Sequence, residues 1–157
     1  MESGDEPFLR ALWQDPRVGD WLGGVRDEVH TRRAVERLVA GWDTDDFGVW
    51  LFFDRVTGAF VGYCGLGAVR VLDRDEIELL YAVTPDRWGD GSATEMAASV
   101  IEYGFDVLGL DELVAFTMTT NLASRRVMER SGLVFERDFE RAGLPHALYR
   151  RQAKLPA

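Results

Sequence analysis

The most informative stretch for chemistry is Thr84-Pro85-Asp86-Arg87-Trp88-Gly89-Asp90-Gly91-Ser92-Ala93-Thr94-Glu95. A strand pattern ends, glycines follow, and a helical pattern begins. Gly89 and Gly91 permit a tight turn and a close backbone approach to a ligand. Ser92 and Glu95 have capping-box spacing, which predicts a helix start near Ala93. The first N–H groups of such a helix lack internal acceptors and carry partial positive charge. Together these features suit an anion such as a pyrophosphate. A plain strand-to-helix joint uses the same residues. No Gly-Lys-Ser/Thr and no Gly-x-Gly-x-x-Gly is present, so neither common nucleotide fingerprint applies.

Glu78 stands on the strand pattern just before this turn. Alternation places it on one face with Glu76 and Leu80, and Ile77, Leu79 and Tyr81 on the other. A carboxylate beside a desolvated cleft has a raised pKa and can act as a general base. The competing reading is a half-exposed strand carboxylate that only attracts a cation. Cys64 lies between Tyr63 and Gly65 in an apolar run and reads as a buried structural thiol. His146 follows Pro145 in a turn and reads as structural or as the rim of a substrate site. His30 sits among charges. One cysteine and two histidines make a metal centre unexpected.

These groups need a frame. Phe8 to Leu22 reads as two short helices broken at Asp15-Pro16. Val35, Leu38, Val39 and Trp42 have helical spacing. Val49–Phe53 and Ala59–Leu66 form a hairpin pattern around the turn Asp54–Gly58. A third strand runs Glu76–Val83. The helix with Met96, Ala97, Val100, Ile101 and Gly104 on one face stops at Gly109. Leu113–Met118 is a strand, Asn121 opens a helix closed by Gly132, and Leu133–Phe139 and Ala147–Arg150 are strands joined at Gly143-Leu144-Pro145. The sum is an α/β domain: one mixed sheet with helices on its faces.

The chain of 157 residues fits one domain, 1–157, and at 46% hydrophobic it can bury a core. No run is long enough to span a bilayer, and the acidic start does not resemble a secretory signal, so a cytoplasmic location is expected. Net charge is −9, with 17 arginines and a single lysine. That balance argues against nucleic acid and anionic membranes and favours a cationic small partner.

A second segment, Asn121-Leu122-Ala123-Ser124 through Gly132-Leu133, follows about 30 residues after the glycine turn. Joined with Asp15-Pro16-Arg17-Val18, Phe47–Trp50, Thr57-Gly58, Val61–Leu66, Glu78–Val83, Trp88–Glu95 and Gly143–Arg150, it resembles the GNAT superfamily of N-acetyltransferases, in its RimJ/RimL-like branch. The resemblance runs from about Phe8 to the end. It implies a mostly antiparallel mixed sheet flanked by helices and acetyl-CoA as co-substrate, with no metal. It implies that amides around Trp88, Gly89, Asp90, Gly91, Ser92 and Ala93 hold the pyrophosphate. Tyr81, Ala82 and Val83 would pair with the pantetheine arm, which Asn121 would meet from the other side. Arg87, Arg125 and Arg126 would reach outer phosphates. Glu78 would be the base and Ser124 the group near the sulfur, since Met128 stands where many relatives have a tyrosine acid. The acceptor would be a primary amine on a protein N-terminus, polyamine, amino sugar or other small molecule. A catalytically silent acyl-CoA-binding domain is the alternative. Relatives of this branch usually begin with an additional strand, and here either the given start lies late or that strand is expected to be missing. Val49–Phe53 is therefore expected at a sheet edge, covered by residues 1–10 or by a second copy in a homodimer.

Overall fold

The computed structural model describes residues 1–24 and 27–153. The expected architecture is present: a six-stranded, mostly antiparallel mixed sheet with helices on both faces. A 3-10 turn leads into α1 (Glu6–Trp13), followed by α2 (Pro16–Gly19), α3 (Glu28–Thr44), β1 (Val49–Phe53), β2 (Phe60–Val71), β3 (Arg74–Val83), α4 (Ser92–Glu102), β4 (Glu112–Met118), α5 (Leu122–Arg130), β5 (Val134–Arg141) and β6 (Leu144–Gln152). The strand order is β1-β2-β3-β4-β6-β5. Only β3 and β4 run parallel.

The helices start where side chains can take their free N–H groups. Asp15 accepts from the Arg17 N–H at α2, and Asp27 accepts from the His30 N–H at 2.8 Å at α3. The Ser92/Glu95 capping box does not form. Gly91, at φ +94°, occupies the N-cap of α4, and the Asp90 carboxylate takes the Ser92 N–H at 2.8 Å.

Two hairpins differ from the sequence reading. β2 and β3 extend to Val71 and back from Arg74 around the two-residue turn Leu72–Asp73, both at positive φ. The strands therefore run well past the expected Leu66 and begin before Glu76. The final turn is Ala142–Gly143, not Gly143–Pro145, so Leu144 and Pro145 already belong to β6. Both are two-residue turns of the kind that matches strand twist.

Two apolar layers hold the sheet. On one face α4 buries Met96, Ala97, Val100 and Ile101 with Leu66, Leu79, Leu113, Ala115, Met128 and Tyr149. Each large side chain so buried contributes about 1.5–3 kcal/mol. On the other face α1 and α3 cover only β1 to β3, packing Leu9, Leu12, Trp13, Ala34 and Val35 on Val49 and Tyr63. Among the described residues, the β4-β6-β5 part of that face carries no helix, only the small cluster Val71, Val114 and Leu148 with Val69, Phe116 and Phe139. Arg150 ties the strands below that cluster, pairing with Glu76, Glu112 and Glu136 at 2.7–2.9 Å.

β1 is the edge strand, as expected. The Phe8 ring of α1 lies 5.2 Å from the rings of Phe53 and Phe60, which covers the strand's face. The Trp42 indole N–H donates to the Val49 carbonyl at 3.3 Å. No helix of the described residues is long and apolar enough to cross a membrane.

Candidate active site

The site begins at a fault in the sheet. β3 and β4 are paired at one position, Glu78 opposite Val114, and then separate toward the end that carries the glycine turn. The Thr84 N–H donates to Val61 O on β2 at 2.8 Å. In an antiparallel ladder alternate residues bond the same neighbour, so Ala82 and Leu80 also turn their backbone groups to β2. Tyr81 and Val83 turn theirs toward the gap left by β4. The Val83 carbonyl there accepts the Trp88 indole N–H at 3.0 Å, which fastens the glycine turn to the strand end.

The two faces of β3 at this gap carry different chemistry. Glu78 points into the helix-free part of the sheet, on one face with Glu76 as alternation requires. Glu76 is bound by Arg150, which holds its carboxyl below the usual range. Glu78 has no such partner among the described residues. Burial pushes its carboxyl up to about 7, and the charge of Arg141 offsets part of that rise. A carboxyl titrating near neutrality, with both oxygens uncommitted, is suited to taking a proton from an amine.

On the opposite face, the Tyr81 hydroxyl lies 2.8 Å from Ser124 Oγ and 3.0 Å from the Ser124 carbonyl oxygen. Burial raises the Tyr81 phenol above its usual pKa, so it stays protonated. Ser124 is presented by the first turn of α5. Asn121 caps that helix by accepting the Ser124 N–H at 3.1 Å, which leaves Ser124 Oγ for Tyr81 and the Asn121 amide NH2 uncommitted. Sequence reading treated Tyr81 as a backbone contributor and missed its hydroxyl. The signal was present, since residues i and i+3 of a strand lie on opposite faces, but the partner on α5 is 43 residues away. Met128 is 2% exposed inside the main core.

At the glycine turn the arrangement is narrower than expected. The Trp88 N–H goes to Pro85 O and the Ser92 N–H to Asp90. Among the described residues, the N–H groups of Gly89, Asp90, Gly91 and Ala93 have no backbone acceptor. Arg87 pairs with Asp54 and, at 3.6 Å, with Asp90, so its guanidinium is committed inside the fold. Arg125 also turns inward, donating to Tyr149 Oη at 2.9 Å and to the Thr119 carbonyl. Arg126 is exposed on α5, free of ion pairs with the described residues. Cys64 is fully buried and its thiol is pushed up by burial, consistent with a structural role. His30 bonds Asp27, and His146 Nδ1 lies 2.9 Å from the Leu144 carbonyl.

Known proteins resemble this chain in sequence and in fold. The profile of the acetyltransferase (GNAT) domain matches residues 1–134. YkkB of Bacillus subtilis is 29% identical over 98% of this chain and 90% of its own length. FsC-acetyl coenzyme A-N(2)-transacetylase of Aspergillus fumigatus is 38% identical over 59% of this chain and 41% of its own. A GNAT-family acetyltransferase structure from Bordetella pertussis superposes with a TM-score of 0.83 at 23% identity, covering 96% of this chain and 91% of that one. With a family profile matched over most of its length and the same fold in solved members, this chain belongs to the GNAT family and is an acetyltransferase.

Proposed function

We propose that the protein moves the acetyl group of acetyl-CoA onto a primary amine by direct attack. The observation that carries this reading is the gap between β3 and β4, with a proton acceptor on one face and a hydroxyl pair on the other. When bound, acetyl-CoA supplies a thioester whose carbonyl carbon an amine can attack. The N–H groups of Gly89, Asp90, Gly91 and Ala93 at the start of α4 fit its pyrophosphate, and Arg126 fits the outer phosphate charge. Tyr81 and Val83 offer backbone groups along the gap, and the Asn121 amide NH2 faces them from α5.

Glu78 takes a proton from the arriving ammonium, directly or through a water. An N–C bond forms and the C–S bond breaks. Of the two protons the nitrogen sheds, one leaves by Glu78 to solvent and one ends on sulfur. Ser124 stabilises the departing sulfur by donating its hydroxyl proton toward it, while Tyr81 donates to Ser124 Oγ. A serine beside a thiolate acts mainly as a hydrogen-bond donor, since its own acidity is low. A RimL structure determined with coenzyme A has the same fold, with a TM-score of 0.78 at 16% identity.

The test is thiol release from acetyl-CoA with and without amines, with the acetylated amine identified by mass spectrometry. Amine-dependent release supports the reading. Tight coenzyme binding with no amine-dependent release across peptides, amino sugars, polyamines and amino acids refutes it.

A further inference from the structure

The acceptor side of Glu78 has a charge pattern that the whole-chain balance conceals. On the helix-free trough side of the sheet, buried Val71, Val114 and Leu148 pack against the half-buried Val69, Phe116 and Phe139, with the His146 ring beside both phenylalanines. Phe116 and Phe139 meet edge to face at 5.7 Å, and His146 lies 6.1 and 5.8 Å from them. β5 sorts its charges by face. Register with β6 puts Arg137, Phe139 and Arg141 on the trough side, opposite Leu148, His146 and Leu144, and turns Asp138 and Glu140 away. Asp138 accordingly acts on Arg125, on the helical face.

Two of the arginines on the trough face are neutralised, Arg74 by Glu112 and Arg150 by Glu76, whereas Arg137 makes no ion pair with any described residue. Arg141 makes no ion pair with any described residue. Its guanidinium lies 4.8 Å over the Phe116 ring and donates only to the Arg70 carbonyl, at 3.5 Å. A protein of net charge −9 has carboxylates to spare. An arginine held over a ring, acting on Glu78 only through its charge and in no ion pair with a described residue, keeps N–H donors for an anion from outside.

We infer that the acceptor is an amine that also carries a carboxylate on a flat or aromatic body, an amino acid by chemical class, with Arg141 receiving the carboxylate and the Phe116–Phe139–His146 wall receiving the body. This rests on the acetyl transfer proposed above and names the acceptor for that site. It also revises the expected cationic partner. The acidic surround draws the ammonium, while Arg137 and Arg141 disfavour a second positive charge, so polyamines and aminoglycosides fit poorly.

The test is calorimetric binding to the coenzyme A-saturated protein with two matched pairs, phenylalanine against phenylethylamine and tryptophan against tryptamine, plus spermidine. In at least one pair the carboxylated member binds ten-fold or more tighter than its partner, and spermidine binds more weakly still. Arg141→Gln erases that ratio, Arg141→Lys restores part of it, and coenzyme affinity stays the same in both. Equal or weaker binding of both carboxylated members, no binding by any probe, tighter binding of spermidine, or a ratio untouched by Arg141→Gln overturns the inference. Failure of coenzyme A itself to bind overturns the acetyl-transfer reading instead.

Discussion

Replacing Glu78 by glutamine should lower activity and raise stability, and both effects should grow as pH rises. The folded-state carboxyl titrates near 7, against 4.5 for an ordinary glutamate. Below pH 4.5 both folded and unfolded chains hold the proton, and Glu78 contributes no pH-dependent term. Between 4.5 and 7 the unfolded chain ionises first, so stability falls as pH rises. Above 7 the loss is complete, at about 3 kcal/mol. Glutamine carries no charge and removes that cost. For a chain of this size the variant should then melt roughly 6–12 °C higher at pH 8.5 and close to wild type at pH 4. Its turnover should fall about 10²–10⁴-fold. The wild-type kcat/KM should rise with pH through an apparent pKa near 7, ahead of the amine's own ionisation, and the variant should lose that limb. Thermal melts at the two pH values and thiol-release rates decide it. Unchanged turnover refutes the base assignment. A pH-independent Tm difference refutes the burial argument.

Four further outcomes follow from the geometry. Arg141→Gln removes the charge that holds Glu78 down, so the ascending limb of kcat/KM moves to higher pH. Tyr81→Phe deletes the hydroxyl 2.8 Å from Ser124 Oγ and should cut kcat about ten-fold, roughly 1.4 kcal/mol, with little change in the KM for acetyl-CoA. Combined with Ser124→Ala it should cost little beyond Ser124→Ala alone, because both act on one group. Arg150→Ala strands the buried Glu76 carboxylate and should cost about 3 kcal/mol at pH 7 by denaturant melts. That gap closes below pH 4.5, where the unfolded carboxyl is protonated and the stabilising pair is lost as pH falls through the lowered folded pKa. Gly91→Ala forces a Cβ into φ +94°, which should weaken coenzyme A binding several-fold by calorimetry and lower stability by about 1–2 kcal/mol.

Local physics made much of this protein legible from sequence. Helices and most strands were marked by period, by openers such as Asn121 and by stops such as Gly109, because these depend on neighbours within a few residues. The same alternation placed Glu78 on a face with Glu76. The longer β2–β3 hairpin was hidden because its turn is Leu72–Asp73, with no glycine or asparagine to announce positive φ. The capping box was misread because Asp90 lies close enough to claim the Ser92 amide first.

What the sequence determined by itself is the order of elements and the residue types within reach of the glycine turn. What only the tertiary structure decided is which of those residues are free. Arg87 is spent on Asp54, Arg125 on Tyr149, and Glu76 on Arg150, while Glu78 and Arg141 make no ion pair with a described residue and Tyr81 reaches Ser124 on the helix packed over its face. Net charge and composition sum over the whole chain, but a site responds to charges within about a Debye length and to the low-dielectric walls around them. The partners that neutralise or desolvate each group come from distant segments, and only folding brings them together.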